Sequence, residues 1–379
     1  MKIEQNVWMD SKGWRTKPIG KLGRNAQLVL LFGSTSTLKE KNPLDEIRRC
    51  YPQAHLFGCS TAGEIYDTQV LDEALVTTAV EFESTRIKCA QVRIDEAGNS
   101  LLAGEHLARS LPKENLKHLL VLSDGLRING TALVEGLRRQ LPTHVTVTGG
   151  LSGDGERFRE TLVLLDGPPE AGIVAVLGFY GERLRVGYGS LGGWDPFGPE
   201  RLITRSHRNV LYELDRKSAL DLYKQYLGEH AKGLPSTGLL FPLSLRTKEG
   251  ETGVVRTILS IDEKENSMTF AGDVPEGAYA RLMKANFDRL IDGSIGAAKT
   301  SYEAIGSRSP ELAILISCVG RKLVLKQRIE EEVEGVREVL GDRTKLAGFY
   351  SYGEISPFTP GAKCELHNQT MTITTLSER

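Results

Sequence analysis

Three stretches of this sequence obey the same rule, and that rule constrains the fold more than any other feature. In each, an apolar strand-like run ends in small polar residues. An amphipathic helix follows, and a second apolar run then enters a glycine-rich polar turn. Residues 27–33 (QLVLLFG) run into Ser34-Thr35-Ser36. Residues 44–50 then set Leu44, Ile47 and Cys50 on one helical side, and residues 54–57 lead into GCSTAGEI at 58–65. Residues 118–122 run into Ser123-Asp124-Gly125. TALVEGLRRQL repeats Leu133, Leu137 and Leu141 every four residues, and HVTVTGG opens onto Leu151-Ser152-Gly153-Asp154-Gly155. Residues 312–316 run into Ser317-Cys318-Val319-Gly320. IEEEVEGVREVL places Ile329, Val333, Val336 and Leu340 at helical spacing before GFYSYGEI at 348–355. Apolar periodicity of this kind separates helix from strand, and its recurrence marks an internal repeat.

The expected fold class is therefore α/β, α+β in part. It would comprise two related lobes of mixed sheet flanked by helices, built on strand–helix–strand–glycine-turn repeats. Residues 1–25, polar and basic, read as an N-terminal leader that docks onto the body. Residues 26–190 form the first lobe, 191–210 a linker containing the loop GGWDPFGP, and 211–379 the second lobe. Between the repeats, residues 161–166, 172–180 and 183–188 read as hairpin strands. Residues 254–261 pair with 267–271, residues 276–305 form a long helical stretch interrupted around 293–296, and 371–376 is a last strand.

Glycine gives the repeats their chemical meaning. Forty of 379 residues are glycine, above the usual share of about 7%. Many fall in the three turns, at the carboxyl ends of strands, where α/β sheets gather ligands. The ligand-facing residues expected from the first turn are Cys59, Ser60, Thr61, Gly63 and Glu64. The second contributes Ser123, Asp124, Ser152 and Asp154. The third contributes Cys318, Arg321, Tyr350, Tyr352 and Glu354, with His367 and Asn368 added from the polar cluster HNQTMT. The carboxylates suit an amine or cationic group, and Arg321 suits a carboxylate. Turn-capping carboxylates and a small buried cysteine are the plainer readings of the same residues.

Charge and motifs exclude several classes. Lysine plus arginine number 48 against 49 acidic residues, too balanced to hold nucleic acid or an anionic membrane by field alone. Five scattered cysteines give no disulfide framework and no C-x-x-C pair. The first residues lack a signal-peptide core, and no apolar run reaches the length of a membrane span. A reduced, cytoplasmic protein without direct membrane insertion is expected. Residues 187–192 match G-x-G-x-x-G, but the adjoining GWDPFGP cannot open a helix, so a dinucleotide site is rejected. There is no Walker A loop, no nucleophile elbow and no H-E-x-x-H, and no metal site is expected.

Longer runs of residues carry a resemblance. GCSTAGEI, SDG and GGLSGDGERF are similar to the N-terminal half of a FIST protein. LYELDRKSALDLYKQYLG, FAGDVPEG, SCVGRK, GFYSYGEI and ELHNQTMTITTLSE are similar to its C-terminal half. The resemblance implies a signal-sensing module that binds small ligands, amino acids among those suggested. Both halves are present and no kinase, methyl-acceptor or F-box segment is, so it implies a stand-alone bacterial-type sensor. Its partners would be a small molecule, amino-acid-like or haem, and a histidine kinase or other signalling protein in trans, with a homodimer left open. One subgroup implies a haem-binding nitric oxide sensor, for which His367, Tyr350 and Cys318 supply axial ligand types, as does Cys59. A third reading is an enzyme with Cys318 or Cys59 as nucleophile, Arg321 favouring the thiolate of Cys318. The leading expectation is a non-enzymatic sensor.

Overall fold

The computed structural model describes residues 1–247, 253–358 and 361–378. The three repeats of the sequence become three six-stranded sheets of one design. At the centre of each lies a parallel pair: Leu28–Gly33 with His55–Ser60, Leu116–Ser123 with Thr146–Leu151, and Leu312–Cys318 with Lys345–Ser351. Parallel neighbours need a crossover, and the helices Lys41–Cys50, Gly130–Gln140 and Ile329–Leu340 provide it. Each first strand then takes an antiparallel neighbour, Ala74–Glu81, Ile173–Tyr180 or Met371–Glu378. Beyond these lie Lys2–Met9, Arg86–Arg93 and Leu184–Leu191 respectively.

The other flank of each pair is filled by exchange. Glu64–Tyr66 leaves the first turn and joins the third sheet. Val163–Leu165, which comes after the second turn, joins the first sheet. Gly353–Pro357 leaves the third turn and joins the second sheet. The three exchanges close a cycle, so every sheet is completed by its neighbour's chain.

One glycine per repeat makes the parallel pairs fit. A Cβ added at Gly58 would stand 2.1 Å from the Leu31 carbonyl oxygen. At Gly149 it would stand 2.0 Å from that of Val121, and at Gly348 1.9 Å from that of Leu315. No side chain fits there. Capping and burial hold the helices in place. The Asn129 side chain accepts from the Ala132 N–H, and Leu133 and Leu137 are buried. In Ile329–Leu340, Val333, Val336 and Leu340 are fully buried. Apolar clusters run across sheet boundaries: Phe32 of the first sheet and Phe349 of the third have ring centroids 4.8 Å apart. Burial of each such side chain contributes roughly 1.5–3 kcal/mol.

A fourth, antiparallel sheet is inserted between Leu184–Leu191 and the helix Phe287–Ala304. Its longest strand is Trp194–His207, paired with Tyr279–Ala285 and Val210–Leu214. With the helix Ala219–Leu227 it builds a separate apolar cluster around Tyr223, Met268 and Phe270.

The structure departs from the sequence expectations in four places. The composition of residues 1–25 predicts a docking leader, yet Lys2–Met9 runs the full length of Ala74–Glu81 as a sheet strand. Its polar composition hides it, because the strand is only partly buried. The expected linker 191–210, including GGWDPFGP, is mostly strand. Pro199 is tolerated because the register shifts between Phe197 and Arg201. Residues 276–305 are not one broken helix. Tyr279–Ala285 is a strand and Phe287–Ala304 runs through 293–296 without interruption. Gly293 is there for close packing, since a Cβ would meet the Gly192 carbonyl oxygen at 1.7 Å. The expected strands around 172–180 and 183–188 exist but form no hairpin, because Ile173–Tyr180 and Leu184–Leu191 belong to different sheets.

Candidate functional site

The strand exchange brings the three glycine-rich turns together in a hub. Three backbone hydrogen bonds tie them in a ring. The Ala62 N–H donates to the Tyr350 carbonyl at 2.8 Å, the Gly153 N–H to Ser60 at 3.0 Å, and the Tyr352 N–H to Leu151 at 3.1 Å. Donors and acceptors occupy matching positions in each turn.

Side chains at the hub are satisfied in two matching motifs and one variant. Thr61 Oγ1 donates to Glu64 Oε1, and Ser351 Oγ donates to Glu354 Oε1 at 2.6 Å. Glu64 Oε2 accepts from the Ala74 N–H at 3.2 Å. Glu354 Oε2 accepts from both the N–H and the hydroxyl of Thr370, at 3.1 and 2.9 Å. Burial pushes each carboxyl up to about 8, against hydrogen bonds that pull the other way. Burial thus favours the protonated form of both. In the second turn Asp154 organises the loop after it. Its oxygens accept from the N–H groups of Phe158, Arg159 and Glu160, and Tyr352 donates its hydroxyl to the same carboxylate. Ser60, Ser123, Asp124 and Ser152 bond backbone groups within or beside the hub: Ser60 Oγ to Gly153, Ser123 Oγ to Asp124, Ser152 Oγ to Ser123, and Asp124 to the N–H of Leu126, Arg127 and Gly172. Asn368 Nδ2 donates to the Tyr352 carbonyl at 2.9 Å.

All sixteen residues singled out in the sequence are buried. Four of them, Thr61, Gly63, Glu64 and Asp154, line a cavity of about 330 Å³. Asp72, Glu73, Glu156 and Arg157 line it as well, so five carboxyl groups stand against one guanidinium. A second cavity of about 540 Å³ shares Asp72 and Glu156 and adds Lys322, Lys326 and Ile329. Lys322 divides the two chemically: its Nζ donates to the Ala62 carbonyl at 2.9 Å and pairs with Asp72. Sequence reasoning misses Asp72, Glu73, Glu156 and Lys322. The only signal for Lys322 is its place in SCVGRK, one residue past Arg321.

Arg321 does not face a ligand. Its guanidinium is fully buried, paired with Glu332 at 2.8 Å, and bonded to the carbonyls of Gly192 and Leu290. Glu332 also accepts from Tyr350 OH at 2.7 Å and from Ser317. Cys59 and Cys318 are sealed, and burial pushes both thiols up, away from the thiolate. A nucleophilic cysteine needs the opposite setting.

The residues expected to hold haem do not fit it. His367 is buried, its Nε2 sits 2.9 Å from the Ser356 carbonyl, and burial pushes the ring down to about 4. Tyr350 is committed to Glu332, and neither cavity at the hub is lined by His367, Tyr350 or Cys318. Among the described residues no group of three His, Cys, Asp or Glu could hold a metal ion. No described helix is long and apolar enough to cross a membrane.

Comparison with known proteins agrees with this architecture. The FIST N domain matches residues 27–217 and the FIST C domain residues 219–357. The chain belongs to the FIST family. FIST domains are signalling sensor domains, and this one contributes both halves to one hub. An uncharacterized protein of Methanocaldococcus jannaschii is 24% identical over 339 residues, covering 83% of this chain. The chain matches 64% of that relative's length. A cyanuric acid hydrolase from A. caulinodans aligns over 78% of this chain and 99% of its own, at 12% identity and a TM-score of 0.19. That score carries no argument about fold or activity.

Proposed function

We propose that this FIST protein is a cytoplasmic sensor of a small, amine-bearing molecule, bound at the hub cavity, and that it signals through a partner such as a histidine kinase. The observation that carries the reading is Glu64, a buried carboxyl pushed up to about 8 on the wall of an acidic cavity. A protonated carboxyl there carries no charge for a cation, and becomes a strong partner for one once it ionises. An ammonium group entering the cavity favours the carboxylate and expels the proton. The turn carrying Glu64 is bonded to the other two turns, so a change in its charge is felt by strands of more than one sheet. Signalling then requires different ligand affinity in two conformations.

Titration calorimetry with a panel of amino acids and polyamines, run at pH 7 in two buffers of different ionisation enthalpy, tests this. Binding at one ligand per chain with proton release is expected, along with affinity at least about tenfold weaker in Glu64→Gln, a loss of about 1.4 kcal/mol. The reading fails if no panel member binds, or if Glu64→Gln binds like the parent protein.

A further inference from the structure

A further cavity lies away from the hub. It holds about 690 Å³ and is bounded by the helix Gly130–Gln140, the hairpin strands Leu243–Arg246 and Val254–Arg256, and the strand Cys364–His367. It therefore spans both matched halves of the family. Its volume falls in the range of small-molecule sites.

Arg256 lines this cavity and is 5% exposed. A buried guanidinium ordinarily sits against a carboxylate, as Arg321 does with Glu332. Arg256 does not. Its Nε donates to the Asp273 carbonyl at 3.1 Å, and its Nη1 donates to the carbonyls of Leu366 and Val255. Among the described residues no carboxylate oxygen lies within ion-pair distance of it, and its Nη2 has no hydrogen-bond acceptor. Exposed Arg138 lines the same cavity and likewise has no ion-pair partner among the described residues. The neighbouring cations are already paired, Arg139 with Glu135 and Glu105, and Arg246 with Glu200. The acids that face the cavity are Glu135, Asp273 and Glu365. Asp273 already accepts from Asn129 at 2.7 Å, and its own N–H is held by Thr131 Oγ1. Val134, Leu245, Val254 and Leu366 give the wall an apolar part, beside Thr131 and Thr247.

We infer that this cavity is a second binding site, for an amphipathic organic anion. A carboxylate or phosphate head would pair with Arg256 and Arg138, and an apolar body would lie on the leucine and valine wall. Asp273 and Glu365 favour the charged form of Arg256 from beyond ion-pair distance, and a guanidinium fork with no carboxylate in contact matches such a head bidentately. The site is independent of the hub cavity and shares none of its lining residues.

Calorimetric titration of the full chain with octanoate, octyl phosphate and inorganic phosphate tests the assignment. At least one octyl compound should bind at one per chain, and the tighter of the two identifies the head group. Inorganic phosphate should bind at least about tenfold more weakly than octyl phosphate, because it lacks the apolar body. Arg138→Glu, a surface change that leaves the fold intact, should weaken the octyl ligand about fivefold, and Arg256→Lys about tenfold. Circular dichroism on both variants separates lost binding from lost folding. The inference is overturned if neither octyl compound binds at millimolar concentration, if inorganic phosphate binds as tightly as octyl phosphate, or if Arg138→Glu leaves affinity unchanged.

Discussion

Glu64 and Glu354 hold the same position in two turns that share their first glycine and a closing Gly-Glu-Ile, yet their surroundings differ. Glu354 is closed over by Thr370, which offers it both a backbone N–H and a hydroxyl. Glu64 receives a single N–H, from Ala74, on that oxygen and stands on a cavity wall. The two motifs themselves are alike, so the difference comes from the chain that packs over each turn. One repeat uses the motif to lock strands together, and the other sets it beside a cavity. The second turn has no glutamate at the matching position and gives its carboxylate, Asp154, to loop ordering instead.

The largest expected effect removes what the repeats share. Gly58→Ala and Gly348→Ala would drive a Cβ to 2.1 and 1.9 Å from a backbone oxygen, and each should cost more than about 4 kcal/mol. Denaturant unfolding should report both as unfolded or nearly so. Gly155→Ala is the contrast. Its φ of +76° makes alanine strained, but no atom lies within 4 Å, so about 1 kcal/mol is expected. A mild Gly348→Ala would mean that the parallel pairs tolerate more separation than the packing indicates.

Next in size is the difference between the two carboxyls. Glu354→Ala leaves the Thr370 N–H, the Thr370 hydroxyl and the Ser351 hydroxyl without their partner in the interior, which should cost about 2–4 kcal/mol. Glu64→Ala should cost about 1–2 kcal/mol, because water entering the cavity can replace the lost acceptor. Equal losses in urea titrations would break the contrast between a locked and an open turn.

Smaller per pH unit, but cumulative, is the proton linkage. Both carboxyls sit at about 8 in the folded chain, above the unfolded glutamate value of about 4.3. The folded state therefore binds protons more tightly. This contribution to stability is fully present below about pH 4.3 and is lost as pH rises through about 8, at up to about 1.4 kcal/mol per unit per carboxyl. Urea midpoints measured between pH 5 and 9 should fall with pH, and Glu354→Gln should flatten the decline. An unchanged slope in Glu354→Gln would remove that carboxyl as its source.

The repeats themselves are legible because a buried strand, an amphipathic helix and a glycine turn each leave a local mark. The helix expected from IEEEVEGVREVL is the helix observed, Ile329–Leu340. Pairing across the exchange is not legible, because nothing within Glu64–Tyr66 says that its neighbour is Lys345–Ser351. Arg321 shows the same limit. Beside Cys318 in the sequence it looks like a ligand clamp, whereas its partner, Glu332, sits eleven residues on. There Glu332 resembles one more charge on a solvated helix face. Burial of both charges is a property of the packed hub and leaves no trace in local spacing. For the site itself, the turns locate the hub, and Glu64 and Asp154 are among the residues that their motifs mark. Asp72 and Glu73 escape notice because they arrive from a connection with no motif of its own.

The closed cycle of strand exchange has a consequence for how such a chain comes apart. The boundary between the two family halves falls near residue 218, and of the three repeat sheets the first alone lies wholly on one side of it. The third sheet takes Glu64–Tyr66, Gln69–Leu71 and Leu184–Leu191 from the first half, and the second sheet takes Gly353–Pro357 and Cys364–His367 from the second half or just past its matched end. A cut at that boundary would leave each fragment with open hydrogen-bonding edges and a missing wall of core. The halves behave like links of a chain rather than beads on a string, and fragments made apart would become a folded body only by finding each other.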